Sequence, residues 1–209
     1  MNIKEIKGQA KEIIKTNKWN IWKPVLFIAL ISFLVSAVVG LLAAIFGGDG
    51  AAAIDAATGL LEIALVPMSV GLYAYNLKIV RNEEFSLELL KKYYPDFLKI
   101  LVMTLIISIC TILWSLLFII PGIIAGLSYS MALYICVDKP ELGPNETVQE
   151  SKHMMYGYKM DYFIMKLSFL GWMLLVPFTL GILFVWLYPY MIIADALFYE
   201  KVKEAKKNK

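Results

Sequence analysis

The chain has 209 residues, 60% of them hydrophobic and 18% charged, and a mean hydropathy of +0.69. That is too apolar for a soluble core under a solvated surface, so many side chains must face lipid. A formal net charge of +3 excludes a broad nucleic-acid-binding surface, and Cys110 and Cys136 lie inside apolar runs, which excludes a disulfide framework and a cysteine metal cluster.

The chain opens on a basic amphipathic helix over residues 1–19. Ile3, Ile6, Ala10, Ile13 and Ile14 recur at helical spacing, and Lys4, Lys7, Lys11, Lys15 and Lys18 cover the other side. Such a helix is expected to lie on the inner leaflet with its isoleucines at the headgroup boundary. Its lysines attract anionic lipid, and Trp19 and Trp22 anchor it at the interface.

Pro24 to Phe46 is the first of six apolar segments. At about 1.5 Å per residue it reaches about 34 Å, enough for the ~30 Å hydrocarbon core. It is also longer than the ~7–15 residues of a secretory core, so a cleaved leader is rejected although Ala51-Ala52-Ala53 follows. With Leu60 to Ile79 it makes a first hairpin, residues 24–79. An interfacial helix is expected over 85–96, interrupted by Pro95. Phe97 to Ile119 and Pro121 to Val137 form a second hairpin, 97–137, turning at Pro121-Gly122. A further interfacial helix over 145–160 takes Asn145 as its N-cap. Tyr162 to Pro177 and Leu180 to Tyr199 form the third hairpin, 162–199, turning between Pro177 and Gly181, and a basic tail over 200–209 follows.

Charge placement orients these elements. The N-terminal tail holds six lysines and the segments 78–99, 139–166 and 200–209 hold five, four and five basic residues, which accounts for all 20. The alternating segments hold none, so both termini are expected in the cytoplasm and the number of crossings is even. The sequence therefore predicts an all-α, single-domain polytopic membrane protein, with six transmembrane helices in three hairpins and amphipathic helices on the cytoplasmic face. The hairpins look like a weak repeat: Gly122 and Tyr129 recur as Gly181 and Tyr188, and Lys23, Lys99 and Lys166 stand at the three entrances.

Few residues suggest chemistry. Glu62 and Asp195 are ionisable groups in apolar segments, where charge is costly. Asp195 is read as paired with a lysine or bonded to another helix, and Glu62 as reaching the outer interface. Pro67 frees a carbonyl at membrane depth, with Gly59 and Gly71 allowing close helix contact. Gly40, Ala43 and Ala44, and Gly122 and Gly126, read as packing positions. Trp186-Leu187-Tyr188-Pro189-Tyr190 should kink the last helix and place the Tyr188 and Tyr190 hydroxyls beside the released carbonyl. His153 is the single histidine, read as a surface residue. Neither a catalytic motif nor a cofactor or metal pattern is found, so a non-enzymatic role is expected.

The last third resembles the prokaryotic membrane protein family catalogued as domain of unknown function 975. The resemblance rests on Ser151-Lys152-His153-Met154-Met155-Tyr156-Gly157-Tyr158-Lys159, Phe163, Leu167-Ser168-Phe169-Leu170-Gly171-Trp172, Thr179-Leu180-Gly181, Trp186 to Tyr190 and Phe198-Tyr199, with Pro121-Gly122 fitting earlier. It implies a multi-pass protein of a cell (plasma) membrane, without assigning a reaction. The amphipathic segments point to an accessory, assembly or membrane-protective component that meets membrane lipids, anionic ones included, and a protein partner or a second copy. The alternative is a small transporter or channel for an ion or small solute.

Overall fold

The computed structural model describes residues 2–46 and 50–208, apart from the side chains of 42, 43, 45, 46 and 50–55. The expected contact at Ala43 and the start of the outer loop, 47–49, lie outside the described residues. Eight helices follow in order: α1 (Ile3–Phe46), α2 (Gly50–Val80), α3 (Phe97–Leu117), α4 (Ile119–Tyr129), α5 (Ala132–Asp138), α6 (Pro144–Met154), α7 (Lys159–Met173) and α8 (Ile182–Lys207).

Local chemistry sets the boundaries. The amphipathic start and the first apolar segment are one helix, α1, with non-helical dihedrals at Asn17 (φ −114°, ψ 22°). Residues from Gly50 that were expected in a loop extend α2. The expected helix over 85–96 is instead two short 3-10 turns, Leu87–Leu90 and Tyr94–Asp96. They lie on α2 at Gly71, where an added Cβ would stand 2.6 Å from the Leu89 carbonyl oxygen and the Leu90 Cα. Tyr94 donates a 3.1 Å hydrogen bond to the Ala64 carbonyl, one turn before Pro67.

The second hairpin turns at Phe118, which is extended, rather than at Pro121-Gly122, which fall in the first turn of α4. Gly122 lets α4 close on α3: a Cβ there would stand 2.1 Å from Ser115 Oγ. The third turn is where the spacing places it, with Leu180 and Gly181 both at positive φ (50° and 83°). Gly122 and Gly181 therefore do different jobs, and their matched spacing does not reflect a matched role. α6 is capped at Gly143, with Pro144 in its first turn and Glu146 accepting from the Gly143 N–H, so Asn145 is not the cap.

α1 lies against α2, α3 against α4 and α7 against α8, and contacts of α1 and α2 with α8, of α2 with α3 and α5, and of α4 with α7 join the three units. Burial is polarised along each unit. Ile6, Tyr75, Leu77, Tyr134, Met165, Phe169, Ile193 and Phe198 form one core, and Val70, Ile100, Met103, Ala132, Cys136 and Val148 a second beside it. All lie far from the turns. Near the turns large apolar side chains stand open: Leu41 is 61% exposed, Leu116 82% and Leu180 93%.

Among the described residues, five helical stretches are long and apolar enough to cross a membrane: Ile3–Leu41, Ala56–Val80, Leu87–Leu117, Ile119–Asp138 and Ile182–Lys207. The segment from Tyr162 is not among them, because α7 has 15 residues and reaches only about 22 Å. The isoleucine stripe of α1 also departs from expectation. Ile6 and Ala10 are fully buried against the protein, so this face of the helix meets α8 rather than lipid. Among the described residues, a Cβ built on Gly40, Gly59 or Gly126 would meet nothing within 4 Å, unlike the close contact expected there.

The close approaches give a prediction. Gly71→Val and Gly122→Val should each cost about 1–3 kcal/mol by overpacking, lowering the thermal midpoint in detergent, whereas Gly126→Ala should not. A Gly71→Val protein melting with the parent would show that the 85–96 segment is not docked on α2.

Candidate functional site

Arg81 is the single arginine among 20 basic residues. It follows directly on α2, held at the helix end by Asn82 in the left-handed conformation (φ 54°). Its Nη2 donates to both Asp138 carboxylate oxygens at 2.9 and 2.8 Å, and its Nε to Glu200 at 2.9 Å. Tyr199 donates to the same Asp138 at 2.9 Å, and Lys203 pairs with it. One guanidinium thus ties the ends of α2 and α5 to the interior of α8. Burial by itself would lower the pKa of Arg81, but its hydrogen bonds to Asp138 and Glu200 outweigh that and hold it above its ordinary value.

A second ionic site joins α7 to α8. Lys166 of α7 pairs with Asp195 of α8 at 2.6 Å. Lys166 also stands 5.2 Å from the Tyr162 ring centroid. The Tyr162 hydroxyl is beside the same carboxylate, and Tyr73, Tyr134 and Tyr188 complete a tyrosine-rich surround. The rings connect the two sites: Tyr73 meets Tyr134 edge-on at 4.7 Å, Tyr134 stacks on Tyr199 at 5.1 Å, and Tyr199 reaches Asp138. A half-buried pair ringed by hydroxyls can hold two charges in an apolar surround and relay a proton between oxygens.

The expected residues distribute unevenly. Asp195 is paired with a lysine, as read, though the partner comes from α7 and not from the basic tail. Glu62 is exposed on α2 and Pro67 buried in it, and neither joins these sites. α8 runs through Pro189, which is buried. Its two tyrosines part company. Tyr190 donates to the Lys7 carbonyl of α1 at 3.3 Å, and Tyr188 packs between Trp22 and Phe184. Trp186 is exposed under Lys18, whose Nζ lies 3.9 Å from the ring centroid, and Trp19 is 74% exposed. Lys4, Lys11 and Lys15 are exposed along α1 and Lys7 is half-buried. His153 is exposed, and among the described residues no group of three or more His, Cys, Asp or Glu is placed to hold a metal ion.

Sequence reading missed Arg81, Asp138, Glu200 and the tyrosines at 73, 134 and 162. The arginine carried a usable signal: in a lysine-rich chain, one planar guanidinium at a helix end suits a site that grips two carboxylates. The tyrosines carried none, because they come from α2, α5 and α7.

A family model described as protein of unknown function (DUF975) matches residues 116–206, which bears out the resemblance read in the last third of the chain. That stretch holds Asp138, Lys166, Asp195, Tyr199 and Glu200, whereas Arg81 and Tyr73 lie before it. No curated protein and no solved structure is detectably similar to the chain.

The pair geometry gives two expected outcomes in chemical or thermal unfolding. Lys166→Met should cost about 3 kcal/mol by leaving Asp195 uncompensated, and adding Asp195→Leu should restore most of it. Arg81→Lys should cost about 1–3 kcal/mol because an ammonium does not reproduce the fork. A double variant no more stable than Lys166→Met alone would count against the pairing.

Proposed function

We propose that this chain is a non-enzymatic, six-crossing protein of the cell membrane that acts through helix and lipid contacts, as an accessory, assembly or membrane-protective component. What carries the reading is the polarity of the three hairpins: apolar, exposed side chains cluster around the turns, while every basic residue lies in the segments away from them. Water does not tolerate such apolar surface, and lipid does. The five long stretches make five crossings. The sixth is α7 with its continuation through the Pro177–Thr179 turn, since only an even number keeps the basic segments on one side. Both termini are then cytoplasmic. The absence of a nucleophile-and-base constellation in the sequence supports a role without catalysis.

The half-buried Lys166–Asp195 pair in its tyrosine surround favours a second reading, a small transporter or channel. The two readings separate in sealed vesicles. Asp195→Asn and Glu62→Gln should abolish an uptake activity if the protein transports, and variants that behave like the parent across a solute panel end that reading.

Two experiments test the proposal. With Cys110 and Cys136 changed to alanine, single cysteines at Asn2, Ser86, Asn145 and Asn208 should react with an impermeant maleimide only after permeabilisation, and one at Thr179 without it. Labelling of 2 and 208 on opposite sides would refute six crossings. Purification of the full chain in mild detergent should bring down one stoichiometric protein partner, identified by mass spectrometry. Recovery of a homo-oligomer with a bound solute would favour transport.

A further inference from the structure

A groove with a cavity volume of about 540 Å³ runs between the start of α1 and the α7–α8 pair. Each wall is one helical face. On α1 the face carries Lys4, Lys7, Gly8 and Lys11, and on α8 it carries Leu183, Trp186, Leu187 and Tyr190, spaced three and four apart. Trp172 of α7 extends the apolar side. Among the described residues, no carboxylate lines the groove. We propose that it is a binding site for one anionic phospholipid of the surrounding bilayer, its phosphate on the lysine wall and an acyl chain along Trp172, Trp186 and Leu187.

Charge supports that occupant. Six basic residues, Lys78, Arg81, Lys139, Lys166, Lys201 and Lys203, meet a carboxylate, and surface lysines such as Lys91 and Lys152 do not; what sets the groove apart is that its lysines share one wall facing an apolar one. Among the described residues, Lys4, Lys7 and Lys11 meet none, although they are neighbours on one face. Lys7 is fixed on the floor by Ser168 Oγ at 2.9 Å, with its Nζ 4.8 Å from the Phe169 centroid. Lys18 over Trp186 adds a fourth cation at the rim. Three like charges gathered on one face opposite an apolar wall favour an external anion that carries an apolar tail.

Gly8 is the structural device that keeps the groove open. It stands within the lysine wall in the interior of α1, where glycine is a poor helix former, and a Cβ built on it meets nothing within 4 Å. A larger side chain there occupies the groove without disturbing the packing of Ile6 and Ala10 on the opposite face.

The proposal rests on the membrane placement above, and its test separates the two. The full chain, with Trp19→Phe, Trp22→Phe and Trp114→Phe so that Trp172 and Trp186 report, is reconstituted in phosphatidylcholine discs containing brominated phosphatidylglycerol or brominated phosphatidylcholine. The brominated anionic lipid should quench half-maximally at a mole fraction at least about tenfold lower than the zwitterionic one, as about fivefold per lysine allows. Lys4→Gln/Lys7→Gln/Lys11→Gln should erase the difference, and Gly8→Leu should weaken anionic quenching with all three lysines present. Equal quenching by both lipids, or a preference that survives both sets of changes, overturns the site and leaves the membrane reading standing. Reversal by millimolar inorganic phosphate also overturns it, assigning the lysines to a free anion. A chain that does not enter the discs overturns both.

Discussion

The three hairpins are held by what happens at one end of them. Their turns carry exposed apolar side chains, so the tertiary arrangement depends on the ends where Arg81 joins Asp138 and Glu200. The interaction suits its place. A buried ion pair gains little net stability unless its hydrogen bonds are complete, and here Tyr199 and Lys203 complete those of Asp138. What the network supplies is specificity: the residues just after α2, at the end of α5 and within α8 must meet at one guanidinium, which fixes the register of three helices together.

From that anchor the packing follows. The side chains that fill the space between the units are large and aromatic, and their rings carry hydroxyls inward to Asp195 and outward to Asp138. The first leg of α1 closes the same core from outside, with Ile6 and Ala10 buried and the Lys7 carbonyl bonded to Tyr190. The helix that the sequence presents as a membrane-surface element is therefore a strap on the protein. Its isoleucines are spent on α8 and its lysines are left for whatever lies alongside. Toward the turns the described residues form no comparable core, and large apolar side chains stand exposed.

Legibility followed the range of the interactions. The third turn was readable because Thr179, Leu180 and Gly181 settle it among themselves. The second was misplaced by a few residues because Pro121-Gly122 has a turn-like composition, yet Gly122 is there so that α4 can lie on Ser115 across the hairpin. The 85–96 segment has an apolar stripe suited to a helix, but docking on Gly71 and the latch of Tyr94 to Ala64 draw it into 3-10 turns. Asp195 was read as a paired carboxylate because a charge in an apolar segment needs a partner, and which lysine it finds depends on how α7 meets α8.

By itself the sequence determined the helical class, the apolar segments, the segregation of basic residues from the turns and the resemblance of the last third to a family of unknown function. Each follows from local composition and from the cost of placing charge or free backbone in hydrocarbon. Only the tertiary structure decided that α1 is a strap, that α7 is a short helix, that Arg81 is a shared hub and that unpaired lysines face an apolar groove. These properties arise between side chains far apart in the chain, and a helical pattern says which face is apolar without saying whether lipid or protein will cover it.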